Sequence, residues 1–347
     1  TDVLYVLFTS GSTGVPKGVV TPHKAITSYI VALVSDYKMD DTYVLGVQVP
    51  FYYVMTALDI YGTIAAKAHA YLIPKSKFLF PAYLVQYLYE NKINLLSWVP
   101  SALCMIANTN AFSVADLSAI RLIVFGGEVM PIKQLKAWQQ AVPDAVYINA
   151  YGSTEITDGC TYYIVDREFK DEDILPIGIP YSNCDVLVID EHGNPITEGV
   201  GELVVRGNSV GYGYYKDPEK TAEVFIQNPL NSCYPETVYK MGDLVRFNEY
   251  GELEYYGRKD FQIKYMGRRI ELGEIEANVS SIDGVDENCC VFDSAKKRIV
   301  LFYSGAIDDK TLLKTLRSKL PDYMQPRKIN HLVEMPHNQN GKINRKL

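Results

Sequence analysis

Between residues 43 and 149, four short apolar runs (43–49, 95–99, 121–125 and 145–149) alternate with four segments of helical apolar spacing (55–68, 81–91, 100–107 and 132–141). A strand-then-helix alternation of this kind is met by a mainly parallel sheet covered by helices, so the chain is expected to be an α/β protein. Several of the runs end in loops rich in Gly, Ser or Thr. Open α/β sheets place ligands beyond the carboxyl ends of their strands, so the chemistry is expected there. Beyond about residue 161 the pattern changes to strand pairs with tight polar turns. Runs 186–190 and 201–206 flank Glu191-His192-Gly193-Asn194, and runs 244–247 and 253–256 flank 248–252, which reads as a β-rich subdomain over 161–259. A third unit over 260–347 has helical segments at 271–280 and 309–319 and strands near 288–292 and 299–303, an α+β arrangement. The join near Asp260 is short, more hinge than tether.

The chain has 347 residues, enough for two or three domains. Its 34 Lys and Arg against 41 Asp and Glu leave a net charge of −7, which argues against nucleic acid as a partner. The apolar runs stop well short of the roughly 18 residues a spanning helix needs, so no membrane partner is expected. Six cysteines at irregular spacing fit neither a disulfide framework nor a zinc site, and a reducing cytoplasm suits them best. Residues 2–8 already read as a buried strand running into a loop, so the chain reads as starting mid-domain.

That first loop, Thr9-Ser10-Gly11-Ser12-Thr13-Gly14-Val15-Pro16-Lys17-Gly18, packs glycines, hydroxyls and a lysine into ten residues. Glycines let backbone N–H groups crowd an anion and Lys17 adds charge, so a polyphosphate is the natural guest. A flexible surface turn is the other reading. The spacing is not that of a Walker A loop. A second loop, Asn149-Ala150-Tyr151-Gly152-Ser153-Thr154-Glu155, follows a strand and offers an aromatic face and a hard oxygen ligand. Taken alone, Glu155 reads equally well as a surface acid.

With Gly126-Gly127-Glu128, Tyr239-Lys240-Met241-Gly242-Asp243-Leu244, Gly257-Arg258-Lys259-Asp260, the segment 264–276 and Asn340-Gly341-Lys342, these loops follow an order that resembles the adenylate-forming superfamily. The resemblance is to the amino-acid adenylation domains of nonribosomal peptide synthetases and the D-alanine ligases that load carrier proteins. It implies a large AMP-binding core over 1–259, with an α/β part to 160, that lacks the family's N-terminal portion. It also implies a mobile C-terminal lid over 260–347. ATP and Mg²⁺ would be the cofactors. Thr9, Ser10, Gly11, Ser12, Thr13, Gly14 and Lys17 would cradle phosphate; Gly127, Asn149, Tyr151 and Gly152 would line the nucleotide. Asp243 would accept the ribose hydroxyls beside Arg258, although Met241 replaces the usual Thr. Thr154, Glu155 and Lys342 would be catalytic, with Glu155 on the metal and Lys342 between the substrate carboxylate and the α-phosphate. Asp260 would be the hinge, and Lys264 and Gly267 would line a pantetheine tunnel.

The implied reaction is adenylation of a small carboxylic acid, amino or related, followed by transfer to a phosphopantetheine thiol on a carrier protein. An acyl-CoA ligase and an inactive nucleotide-binding remnant are the alternatives. By the same resemblance the acyl pocket is formed by Val54, Met55, Leu58, Ser97, Val124, Gly126, Ala150, Asp158 and Gly159. Amino-acid-activating members place an Asp where this chain has Val54. Either the substrate lacks a conventionally placed α-amino group, or another acid substitutes, for which Asp158 is the candidate; the other reading of Asp158 is a solvent-facing loop acid.

Overall fold

Continuous apolar runs at 95–98 and 122–126 are what strands buried on both faces require, and they lie side by side inside a seven-stranded sheet. The computed structural model describes residues 2–9, 16–171, 173–259, 262–337 and 343. They form two compact units, one drawn from Thr1–Leu7 and Gly18–Lys259, the other from Phe8–Lys17 and Asp260–Leu347.

The chain opens with paired strands β1 (Val3–Thr9) and β2 (Lys17–Pro22), then α1 (His23–Asp36). There follow β3 (Val44–Val47), a π-helical turn at Leu58–Gly62, α2 (Thr63–Ala66), β4 (His69–Leu72), α3 (Pro81–Glu90) and β5 (Leu95–Trp98). Next come α4 (Pro100–Ala107), β6 (Leu122–Gly126), α5 (Ile132–Ala141), β7 (Val146–Tyr151), β8 (Thr161–Ile164) and β9 (Ile179–Pro180). The sheet order is β4-β3-β5-β6-β7-β8-β9. Pairing is parallel from β4 to β7 and antiparallel from β7 to β9. The change of pattern near residue 161 therefore marks a switch of pairing within one sheet. Antiparallel neighbours need no crossover helix, so the helical spacing stops while the sheet continues.

Strand side chains alternate between two cores, as a period of two requires. Leu96, Trp98, Ile123, Phe125 and Tyr147 pack with residues of α3, α4 and α5 such as Leu84, Leu103 and Trp138. Leu95, Leu122, Val124 and Ile148 pack on the opposite face with Tyr29, Ile30 and Leu33 of α1 and with Leu58 and Ala66. The helix expected over 55–68 forms over 56–66 and carries a π segment at Leu58–Gly62. Residues 50–55 make local turns, and at the entry to this helix Thr56 Oγ1 donates to the Tyr53 carbonyl at 2.7 Å. The π turn at Leu58–Gly62 follows, and Lys67 closes α2 with φ +55.

The rest of the first unit is an antiparallel five-stranded sheet of β10 (Cys184–Ile189), β11 (Val200–Gly207), β12 (Phe225–Gln227), β13 (Thr237–Phe247) and β14 (Leu253–Arg258). A short helix, α6 (Pro218–Val224), precedes β12. The expected pairings of 186–190 with 201–206 and of 244–247 with 253–256 are both present.

In the second unit β15 (Gln262–Tyr265) and β16 (Arg268–Glu271) form a hairpin whose two turn residues, Met266 and Gly267, have φ +52 and +70. Two positive φ values in a two-residue loop match the twist of the flanking strands, and Gly supplies one without strain. Then come α7 (Leu272–Ser280), β17 (Val285–Asp293), β18 (Arg298–Gly305), α8 (Asp309–Lys319) and β19 (Lys328–His331). The helices bury Leu272, Ile275, Val279, Leu312 and Leu316 against Cys290, Ile299 and Leu301. Asp308 caps α8 by accepting from Thr311 N at 3.0 Å. Among the described residues no helix is long and apolar enough to cross a membrane.

Candidate functional site at the strand ends

Strand β7 ends at Tyr151 and enters a loop that folds back on itself. The backbone N–H of Asp158 donates to Ser153 O at 3.1 Å, and that of Cys160 to Tyr151 O at 2.9 Å. Gly152 is required by this closeness, since a Cβ there would stand 1.9 Å from Asp158 O. Tyr151 is buried; its hydroxyl donates to Asp243 Oδ2, and its ring lies tilted 6.2 Å from that of Tyr255. Burial, then the charge of Asp243, holds the Tyr151 phenol well above its ordinary range. On β13, Asp243 stands opposite Arg258 of β14, whose Nη1 lies 2.8 Å from Asp243 Oδ1 and also donates to Met241 O at 2.9 Å. Gly242, at φ +69, makes room for the guanidinium: a Cβ there would lie 3.1 Å from Arg258 Nη2.

The same loop carries Thr154, partly exposed, and Glu155, fully buried. Glu155 Oε1 accepts from the Tyr214 hydroxyl at 2.9 Å, and its carbonyl accepts from Gly211 N at 2.9 Å. Sequence reasoning left Tyr214 unassigned, and no local motif marks it. Asn149 uses its amide Nδ2 on Pro176 O at 2.8 Å, which ties β7 to the segment before β9. Gly126 faces Ala150 across β6 and β7, where a Cβ would meet Ala150 O at 2.5 Å, and Gly127 has φ +83.

The residues assigned to an acyl pocket divide. Ser97 pairs with Val124, and Gly126 with Ala150. Strand alternation puts all four on the sheet face that carries α1, and Leu58 packs there with Val124. Met55 packs toward the other core, and its Sδ would lie 3.8 Å from a Cβ on Gly127. Val54 is half-buried.

Asp158 turns inward. Its Oδ2 accepts from the Tyr29 hydroxyl of α1 at 2.9 Å, and its backbone sits at φ +85 directly after Thr157 at φ +62. Two successive non-glycine residues in this region are uncommon and strained. Thr157 is held there by Oγ1 donating to Ser209 O at 2.7 Å. Gly159 completes the fit, since a Cβ would stand 2.7 Å from Tyr181 Cε2 and 2.9 Å from Tyr29 Oη. Burial raises the Asp158 carboxyl to about 6, while the Tyr29 hydrogen bond draws it down. Asp59, in the π turn, is 3% exposed and neither of its carboxyl oxygens has a hydrogen-bond partner. Burial, then the charge on Asp158, pushes it well above the carboxylate range. Neither Tyr29 nor Asp59 was singled out from the sequence. The spacing of Ala25, Ile26, Tyr29, Ile30 and Leu33 in α1 was the available signal for Tyr29.

In the second unit, Thr9 Oγ1 is buried without a partner, Lys17 Nζ lies 3.7 Å from Glu271 Oε1, and Lys264 pairs with Arg269 across the β15–β16 hairpin. Ser10, Gly11, Ser12, Thr13, Gly14, Asp260 and Lys342 lie outside the described residues. A magnesium ion that keeps water and phosphate ligands needs one or two protein carboxylates. Glu155, a hard oxygen donor next to the Thr154 hydroxyl, suits that demand. Among the described residues no group of three or more His, Cys, Asp or Glu forms an all-protein cage.

Polar loops at the carboxyl ends of a mixed sheet place the chain in the class of α/β proteins with their candidate site at the strand ends. Residues 1–215 match the family described as AMP-binding enzyme, and the chain belongs to that family. It is 34% identical to tyrocidine synthase 3 of Brevibacillus parabrevis, over 99% of this chain and 5% of that one. It is 31% identical to zwittermicin A synthase ZmaJ of Bacillus cereus, over all of this chain and 67% of that one. The crystal structure of IdnL1 superposes with a TM-score of 0.86 at 30% identity, over 96% of this chain and 68% of that chain. The chain thus spans a small fraction of the large synthases it matches.

Proposed function

We propose that the protein activates a small carboxylic acid, amino or related, with ATP and passes the acyl group to the phosphopantetheine thiol of a carrier protein. In the first step a carboxylate oxygen bonds to the α-phosphorus as the bond to pyrophosphate breaks. In the second the thiol sulfur bonds to the acyl carbon, AMP leaves and the thiol proton goes to solvent. The observation that carries this reading is the cluster of Tyr151, at the start of the loop that holds Thr154 and Glu155, with Asp243 of β13 and Arg258 of β14. An aromatic face suits adenine, and an ionised carboxylate, which only accepts, suits a cis-diol because its oxygens keep further lone pairs beside the bonds from Tyr151 and Arg258. Magnesium held at Glu155 would supply charge neutralisation at the phosphates.

Thr154 and the loop from Thr9 to Gly14 with Lys17 are assigned to phosphate, with Gly127, Asn149 and Gly152 around the nucleotide. Lys342 is assigned to the reacting carboxylate and α-phosphate, where a cation offsets the repulsion of two anions. The 260–347 segment is read as a mobile lid with its hinge at Asp260, and Lys264 and Gly267 as neighbours of the pantetheine arm. A cytoplasmic setting suits such a carrier-loading reaction.

ATP–pyrophosphate exchange across amino, hydroxy, keto and aryl acids tests the reading; absence of exchange with every acid defeats it. In Lys342→Ala, exchange is expected to fall by about 100-fold or more while ATP affinity changes only a few-fold. Efficient acyl transfer to free coenzyme A, with indifference to holo carrier protein, would replace the carrier assignment with a coenzyme A ligase.

A further inference from the structure

Val54 is apolar, whereas the polar, desolvated end of the α1 side of the sheet is built around two acids from different segments. Asp158 comes from the loop after β7 and Asp59 from the π turn, and α1 packs on that turn while its Tyr29 holds Asp158. π-Helical turns are rare and occur frequently at functional sites. Here the turn buries a carboxyl with both oxygens unpaired, in a stretch whose spacing would otherwise make an ordinary helix. The loop accepts two consecutive positive φ values, and glycines at 152 and 159 leave the space that aims Asp158 inward. Strain of this kind persists where its surroundings enforce it.

Among the described residues, the Asp158 carboxylate meets the Tyr29 hydroxyl and no Lys, Arg or His pairs with either acid. A partly buried carboxylate with one neutral hydrogen bond lacks the counter-charge that normally accompanies burial. The surroundings supply none: Tyr5, Tyr29, Tyr37 and Tyr181 are all buried or half-buried phenols held above their ordinary range by burial. What these aromatic rings and one ionised carboxylate recognise together is a compact organic cation. Burial, then the charge on Asp158, holds the Asp59 carboxyl well above the carboxylate range.

We propose that Asp158 is the counter-charge for a protonated amine carried by the acyl substrate, with Tyr29 orienting the carboxylate and Asp59 adding a second acid behind it. This rests on the adenylation reading and sharpens it: the substrate is an amino acid whose ammonium enters from the β7-loop side of the pocket, away from Val54.

Two measurements on the full chain test it. Exchange with 2-, 3- and 4-aminobutyrate is compared with exchange for the matching hydroxybutyrates, in wild type and Asp158→Asn. At least one amino acid is expected to exceed its hydroxy partner by about 100-fold in kcat/KM, and Asp158→Asn to reduce that ratio to within a few-fold. An unchanged ratio in Asp158→Asn, or a wild-type preference for the hydroxy acids, overturns the proposal. Independently, the ¹³C carboxyl resonance of Asp158 is titrated with n-butylamine hydrochloride or n-butanol present. The amine is expected to lower the midpoint while the alcohol leaves it near the free value. A titration indifferent to the amine overturns the proposal whether or not any acid is activated. Loss of exchange with every acid, with the amine still shifting Asp158, defeats the adenylation reading alone.

Discussion

Two aspartates, Asp243 and Asp158, each accept a tyrosine hydroxyl, yet their surroundings differ in one respect that decides their chemistry. Asp243 is 1% exposed and has Arg258 on its other oxygen at 2.8 Å, so its charge is buried together with an opposite one. Asp158 is partly buried, has Tyr29 at 2.9 Å and, among the described residues, no cation, and burial raises its carboxyl to about 6 against the pull of that hydrogen bond. The same hydrogen bond is a supporting contact in the first case and, among the described residues, the carboxyl's one hydrogen bond in the second. A buried acid with its counter-ion is a finished structural unit; a partly buried acid without one is prepared for something that arrives with charge.

The sharpest way to break the contrast is to make Asp243 resemble Asp158. Arg258→Met removes the guanidinium and leaves a nearly inaccessible carboxylate uncompensated. It is expected to destabilise the first unit by about 3 kcal/mol and to weaken ATP binding, read from a urea midpoint and a nucleotide titration. A midpoint within error of wild type would show that Arg258 does not carry the stability of that cluster.

The next effect is smaller and has a definite sign. Because the folded Asp158 holds its proton more firmly than an unfolded carboxylate of 3.8, the folded state binds more protons between about 4 and 6. Stability from this group is therefore present below the unfolded value and is lost as pH rises through about 6. Asp59 acts in the same direction. Asp158→Asn should be more stable than wild type at pH 8, by on the order of 2 kcal/mol, and nearly equal to it at pH 4. Equal stabilities at both pH values would place the carboxylate in contact with water.

The smallest effect comes from an ion pair that burial does not touch. Arg206 and Asp185 pair at 2.6 Å across β10 and β11, but their side chains are 38% and 50% exposed. Arg206→Gln is expected to change stability by under about 0.5 kcal/mol, and less still in high salt. A loss approaching that of Arg258→Met would mean that geometry outweighs desolvation in this protein.

Much of the fold was legible. The helices at 100–107 and 132–141 begin and end where their spacing says, the first with Pro100 at its opening position, where a missing N–H is harmless. The central strands were legible because strands buried on both faces must be continuously apolar. The stretch at 55–68 was legible as helical, but its π segment at Leu58–Gly62, which holds the buried Asp59, was not, because a π turn leaves the apolar spacing of a helix largely intact. Helix α1 went unassigned although its spacing was present, since Pro22 caps it without any side-chain signal. Tyr151, Asp243, Arg258 and Glu155 were each marked by a motif, but that Tyr151 bonds Asp243 across 92 residues was not.

The sequence by itself determined which loops follow which strands, and so where ligand-binding chemistry collects, because strand ends and glycine-rich turns are local properties. Only the tertiary structure decided which acids are buried and which are paired. Tyr29 and Asp158 are 129 residues apart in the chain, and Asp59 comes from a third segment. Desolvation is a sum over everything packed around a group, so no window of sequence contains it.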